Sequence, residues 1–195
     1  MAAETTPTLG GRAEDDLRFI RDAMGRATAF TCVPGKGGVA MGAVGLAAAA
    51  WAARASSMRE WLAIWTGAGV LAFGIGVFGL LRKASRSDHR PSVSAARRFA
   101  LALLPPLVAG AALTAALASS GAITFLPGIW LLLYGCAVVA AGLLSVPVVP
   151  LFGGTLLVLG LLALVFPSHG DLLLGSGFGL GHVVCGVIVA RRHGG

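Results

Sequence analysis

His182 is the one ionisable side chain set deep inside a long apolar stretch of this chain. An imidazole in such a place can accept or relay a proton, or ligate a metal or a haem iron. Successive helical turns are expected to carry Asp171, Gly175, Gly179, His182 and Gly186 along one face. A plainer alternative stays open: a neutral imidazole bonded to a neighbouring carbonyl or hydroxyl, with a structural role only. A membrane b-type haem would need a second deep histidine on another helix. His169 falls near a turn, His89 in a basic stretch and His193 in the tail, so haem would require a homodimer or a partner. Asp171 is the second candidate, clustered with His169 and Ser168. Three polar residues in a tight turn are more often a helix cap and its neighbours than a reaction centre.

Other chemistry finds little footing. No Ser/His/Asp set shares one depth, no carboxylates pair, and there is no HExxH, so the expectation is a non-enzymatic protein without metal or cofactor. Cys32, Cys136 and Cys185 form no close pair and suit neither a disulfide framework nor a zinc site. The run Gly35-Lys36-Gly37-Gly38-Val39-Ala40-Met41-Gly42 is rich in glycine and lysine, but the Lys-Ser/Thr that would hold phosphates and Mg²⁺ is absent and apolar residues follow. Transport is weakened by the thin polar inventory of the apolar stretches: Thr66, Thr114, Tyr134, Thr155, Ser176, His182 and two cysteines, with no Asp or Glu. Pro105-Pro106 interrupts one stretch, where a kink is the ordinary outcome and a helix break lining a site the alternative.

The elements that carry these residues follow from composition. The 195 residues are 56% hydrophobic and 12% charged, about half the charge of an ordinary soluble domain. A transmembrane helix needs about 20 predominantly apolar residues. Lys36 to Arg54 encloses 17 uncharged residues, Glu60 to Arg82 encloses 21 and Asp171 to Arg191 encloses 19. From Phe99 to Gly170 there are 72 residues without a formal charge, room for three spans and two turns. Ser119-Ser120-Gly121, Ser145-Val146-Pro147 and Phe166-Pro167-Ser168-His169-Gly170 supply the turn chemistry. An all-α membrane bundle results, with spans near 38–55, 61–82, 98–119, 123–144, 148–166 and 171–190.

Basic residues set the orientation. With the N-terminus inside, 13 of the 15 lysines and arginines fall on the cytoplasmic side, and only Arg54 and Arg59 face out. Trp51, Trp61, Trp65, Phe125, Trp130 and Phe166 gather at the outer interface. Both termini are therefore expected in the cytoplasm. The absence of Asn and Gln, with 13 arginines among the basic residues, points to a GC-rich bacterial genome and hence to the bacterial inner membrane. The net charge of +7 belongs to loops between apolar spans, so it argues for attraction to anionic lipid headgroups and against nucleic acid. Residues 1–13 read as a disordered tail. Residues 14–33 read as an amphipathic cytoplasmic helix with Leu17, Ile20, Met24 and Ala27 on one face, lying on the membrane or on a partner protein. Residues 34–195 form the transmembrane domain. Stripes of small residues (Gly38/Gly42, Gly175/Gly179, Gly177/Gly181, and Ala68, Ala72, Gly76 and Gly79) predict close helix packing, inside the bundle or across a dimer.

The run Leu17-Arg18-Phe19-Ile20-Arg21 through Phe30-Thr31-Cys32-Val33-Pro34-Gly35, and the ending Gly177-Phe178-Gly179-Leu180-Gly181-His182 with Gly186 and Arg191-Arg192-His193-Gly194-Gly195, resemble a group of bacterial membrane proteins of no established activity. The resemblance spans the chain, departing at Lys36, where the group more often has an aromatic residue. It implies that His182 and the Pro34-Gly35 turn belong to a family pattern. Members encoded beside winged-helix regulators imply a sensing or regulatory role. The functional expectation is a non-enzymatic scaffold or regulatory membrane subunit with a protein partner at its basic inner face; a small transporter or channel is the alternative, and a haem-holding electron-transfer subunit stands third.

Overall fold

The computed structural model describes residues 17, 20, 34–86, 93–143 and 145–193. Among them there is no strand. Five long helices come first: α1 (Gly35–Ala52), α2 (Met58–Arg86), α3 (Val93–Ser120), α4 (Leu126–Gly142) and α5 (Val148–Val165). A sixth rod succeeds them, made of α6 (Gly170–Leu174), a π-helical segment (Gly175–Gly181) and α7 (His182–His193). Five of the six are long and apolar enough to cross a membrane; α1, 18 residues with Lys36 and several glycines, is the exception. Of the proposed amphipathic helix only Leu17 and Ile20 are described, both helical and exposed; the rest of that segment and the 1–13 tail lie outside the described residues.

Local chemistry fixes the ends. Pro34 holds an extended backbone, φ −81° and ψ 109°, so α1 starts at Gly35 rather than near residue 38. Lys36 therefore occupies the first turn, where its long stem lets the ammonium reach outward. Arg54 donates to the carbonyl of Ala50 at 2.6 Å just after the helix ends. Ser57 Oγ accepts from the Glu60 amide at 3.2 Å while the Glu60 carboxylate accepts from the Ser56 amide at 2.9 Å, a capping box that starts α2. Gly121, with φ +76°, makes the turn after α3. Pro105 and Pro106 sit inside α3 without ending it, so the double proline leaves a continuous helix.

Packing follows one rule, backbone approach at glycine. Gly128, Gly135 and Gly142 recur every seventh residue on α4 and meet Leu164, Leu157 and Pro150 of α5. Gly153 and Gly160 of α5 answer them, each with a virtual Cβ within 3 Å of the α4 backbone. On the other side α1 lies against the sixth rod: Gly35 meets Ala190, Gly38 meets Gly186 and Gly42 meets Val183. Leu131, Leu156 and Val189 are fully buried in one core cluster, and Leu126 is fully buried at the start of α4. α2 packs along α1 through Gly76 and Gly79, against Met41 and Pro34, and α3 packs along α4 with Gly110 under Trp130. These two helices are the flanks. None of the apolar stretch of α2 and 6% of that of α3 is buried, against 39% for α4 and for the sixth rod.

Candidate functional site

The glycines of the sixth rod alternate: 175, 177, 179 and 181. Alternate residues of a helix point to roughly opposite sides, since each residue turns it by about 100°. Gly175 and Gly179 accordingly meet Ala49 and Leu46 of α1, whereas Gly177 and Gly181 meet Leu131, Leu156 and Phe152 of α4 and α5. The two interleaved GxxxG pairs thus serve two different neighbours within one chain. This segment is π-helical, an arrangement that in proteins concentrates at functional sites.

His182 comes next in the chain. Its ring is buried, 6% exposed, and turned toward α4 and α5. Nε2 lies 2.9 Å from the Tyr134 hydroxyl. Phe152 meets the imidazole edge-on with centroids 4.8 Å apart, and Phe178 stacks on it at 6.0 Å with 13° between planes. Tyr134 and Phe178 close the box at 5.1 Å. Nδ1 is buried without a hydrogen-bond partner among the described residues. The Trp65 indole N–H is likewise buried without a partner. Three aromatic rings occupy the space around the imidazole, so the arrangement suits a held polar pair; a porphyrin would need that space.

The face expected to carry Asp171, Gly175, Gly179, His182 and Gly186 together is corrected in one member. The residues against α1 are Gly175, Gly179, Val183, Gly186 and Ala190. The His182 ring points instead toward α4 and α5, and Val183 takes its expected place in the row. Asp171 stands at the far end of the rod. Its Oδ1 accepts from Trp61 Nε1 at 2.7 Å, tying the start of α2 to the start of α6. His169 is exposed with Ser168 Oγ 3.1 Å from its Nδ1, and neither reaches His182. Asp171 borders two shallow grooves, one lined by Ser56, Ser57 and Ile123 and the other by Leu172 and Leu180.

The remaining polar residues serve the structure. Thr114 Oγ1 donates to the carbonyl of Gly110 at 2.8 Å and accepts from Trp130 Nε1 at 2.9 Å. Thr155 and Ser176 donate to the carbonyls of Leu151 and Leu172 on their own helices. Cys136 is exposed on α4 and Cys185 half-buried against the core, while Cys32 and His89 lie outside the described residues. Tyr134 stood among the polar residues of the apolar stretches, but its pairing with His182 had no signal in the sequence. Neither had Phe152 and Phe178.

Fold and site together define, among the described residues, a helical protein with five helices fit to cross a membrane and a buried His–Tyr pair in an aromatic box. Comparison with models of protein families, with curated proteins and with solved structures finds no match to this chain.

Proposed function

We propose that the chain crosses the bacterial inner membrane six times with both ends cytoplasmic, and that it is a non-enzymatic scaffold or regulatory subunit. It is also proposed as a member of the bacterial group that its two ends resemble. The sixth crossing is α1. At 1.5 Å per residue its 18 residues reach about 27 Å, close to the hydrocarbon thickness and equal to α5. Neighbouring helices alternate in direction: the start of α1 meets the end of α7 and the end of α2, and the starts of α2 and α6 meet through Trp61 and Asp171. That alternation is what successive crossings require. Lys36, Arg82, Arg97, Arg98, Arg191 and Arg192 then share the cytoplasmic side.

One observation carries the subunit reading: the middle of the bundle is closed by backbone contact, while α2 and α3 each pack on one neighbour and leave their other faces exposed. A Cβ on Gly42, Gly153 or Gly186 would lie within 2.7 Å of a neighbouring backbone nitrogen. Such a centre offers fixed shape, and α2 and α3 offer long lateral faces to another protein. Native mass spectrometry after gentle extraction from the host membrane tests it. A complex of defined stoichiometry with a second protein is expected; a chain carrying only lipid contradicts it.

A second reading, a small transporter or channel, rests on buried His182 beside the π segment. Its test is flux through liposomes holding the purified chain. His182→Ala must abolish a specific flux if the imidazole takes part, and unchanged flux removes it from the mechanism.

A further inference from the structure

At the end of the molecule where α1 begins, three helices bring cations together from distant parts of the chain. The backbones of Gly35 and Ala190 touch, so Arg191 and Arg192 leave α7 beside the first turn of α1, where Lys36 is exposed. A Cβ on Gly79 would lie 2.9 Å from Pro34, and Arg82 comes three residues later on the same face of α2. Among the described residues the only carboxylates, Glu60 and Asp171, lie at the opposite end.

We propose that this cluster is a clamp for the phosphate of an anionic phospholipid headgroup. The inference rests on the membrane reading and the orientation above, and not on the partner. Depth favours a lipid. The cluster stands at the end of an 18-residue helix of about 27 Å, the level at which headgroup phosphates meet a hydrocarbon layer about 30 Å thick. Charge favours it too, since cations carried on three adjoining helix ends can neutralise one phosphate together. A loop-charge count alone does not demand such convergence. Arg97 and Arg98 meet the same count at the start of α3, yet they belong to the helix packed along α4 on the other flank.

The test places the full chain in phosphatidylcholine nanodiscs doped with phosphatidylglycerol and weighs the retained lipid by native mass spectrometry. Wild type should retain phosphatidylglycerol preferentially. Arg82→Gln with Arg191→Gln should weaken that retention about twenty-five-fold, at about a factor of five per cation. Arg97→Gln with Arg98→Gln removes the same charge and should leave retention within about twofold of wild type. Equal losses in both pairs would overturn the clamp in favour of diffuse charge. Displacement of the lipid by millimolar inorganic phosphate would overturn it in favour of a soluble anion. A chain that failed to enter the disc would overturn the membrane reading, and the clamp with it.

Discussion

Glycine does opposite things in the centre and on the α2 flank. In the centre it is the point of contact: Gly42 has room for no side chain, because the Val183 amide and the Gly179 carbonyl lie 2.6 and 2.7 Å from where a Cβ would sit. On α2, Gly67, Gly69 and Gly74 have nothing within 4 Å of that position. A helix interior loses about 0.5–1 kcal/mol in backbone entropy for each glycine relative to alanine. In the centre, close dispersion contact offsets that cost, as membrane helices require where lipid removes the hydrophobic drive between them. At Gly67, Gly69 and Gly74 no contact among the described residues does so, whereas Gly76 and Gly79 pack on α1 and Pro34. The bundle is thus over-determined inside and under-determined at its edge, and the edge is where a partner's contribution would enter.

The strongest blow to this contrast is Gly42→Leu. It should abolish the folded bundle, seen as loss of a monodisperse species in detergent, because both obstructing atoms belong to the backbone of the sixth rod. Tyr134→Phe comes next. It leaves His182 Nε2 without its buried partner and should cost about 1–2 kcal/mol in denaturation of the purified chain. Adding His182→Phe to it should recover part of that loss, since removing both partners leaves no polar atom to orphan. Trp61→Phe unties α2 from Asp171 and should cost about 1 kcal/mol, with added protease sensitivity near the α1–α2 turn. The smallest effect has the opposite sign. Gly74→Ala should raise stability by about 0.5–1 kcal/mol, and a loss of similar size in the isolated chain would mean that the flank is already packed.

Much of the fold was legible because charge is so expensive in hydrocarbon that its absence marks each helix fit to cross a membrane. Helix ends came within about five residues: α3 starts at Val93 rather than 98, and α1 starts at Gly35 rather than 38 because a first-turn lysine can snorkel. The small-residue stripes were legible as packing, and Gly38, Gly42, Gly76 and Gly79 do face neighbours within the chain. The seven-residue recurrence of Gly128, Gly135 and Gly142 was equally present but hidden among other glycines. His182 and Asp171 stood out as ionisable groups, yet their partners did not. Trp61 read as an interfacial aromatic, although its indole N–H is committed to Asp171. The π segment was not legible, because Gly-Ser-Gly-Phe-Gly-Leu-Gly suits an α-helix as well.

The most direct measurement places a photo-activated cross-linking side chain, in host cells, at Phe73 on α2, at Val108 on α3 and at Phe178 in the aromatic box. Phe73 and Val108 are 53% and 64% exposed. If the flanks are a subunit's docking faces, a flank position captures one distinct protein while Phe178 links only within the chain. Lipid adducts alone from both flanks, with no protein captured, would contradict that reading.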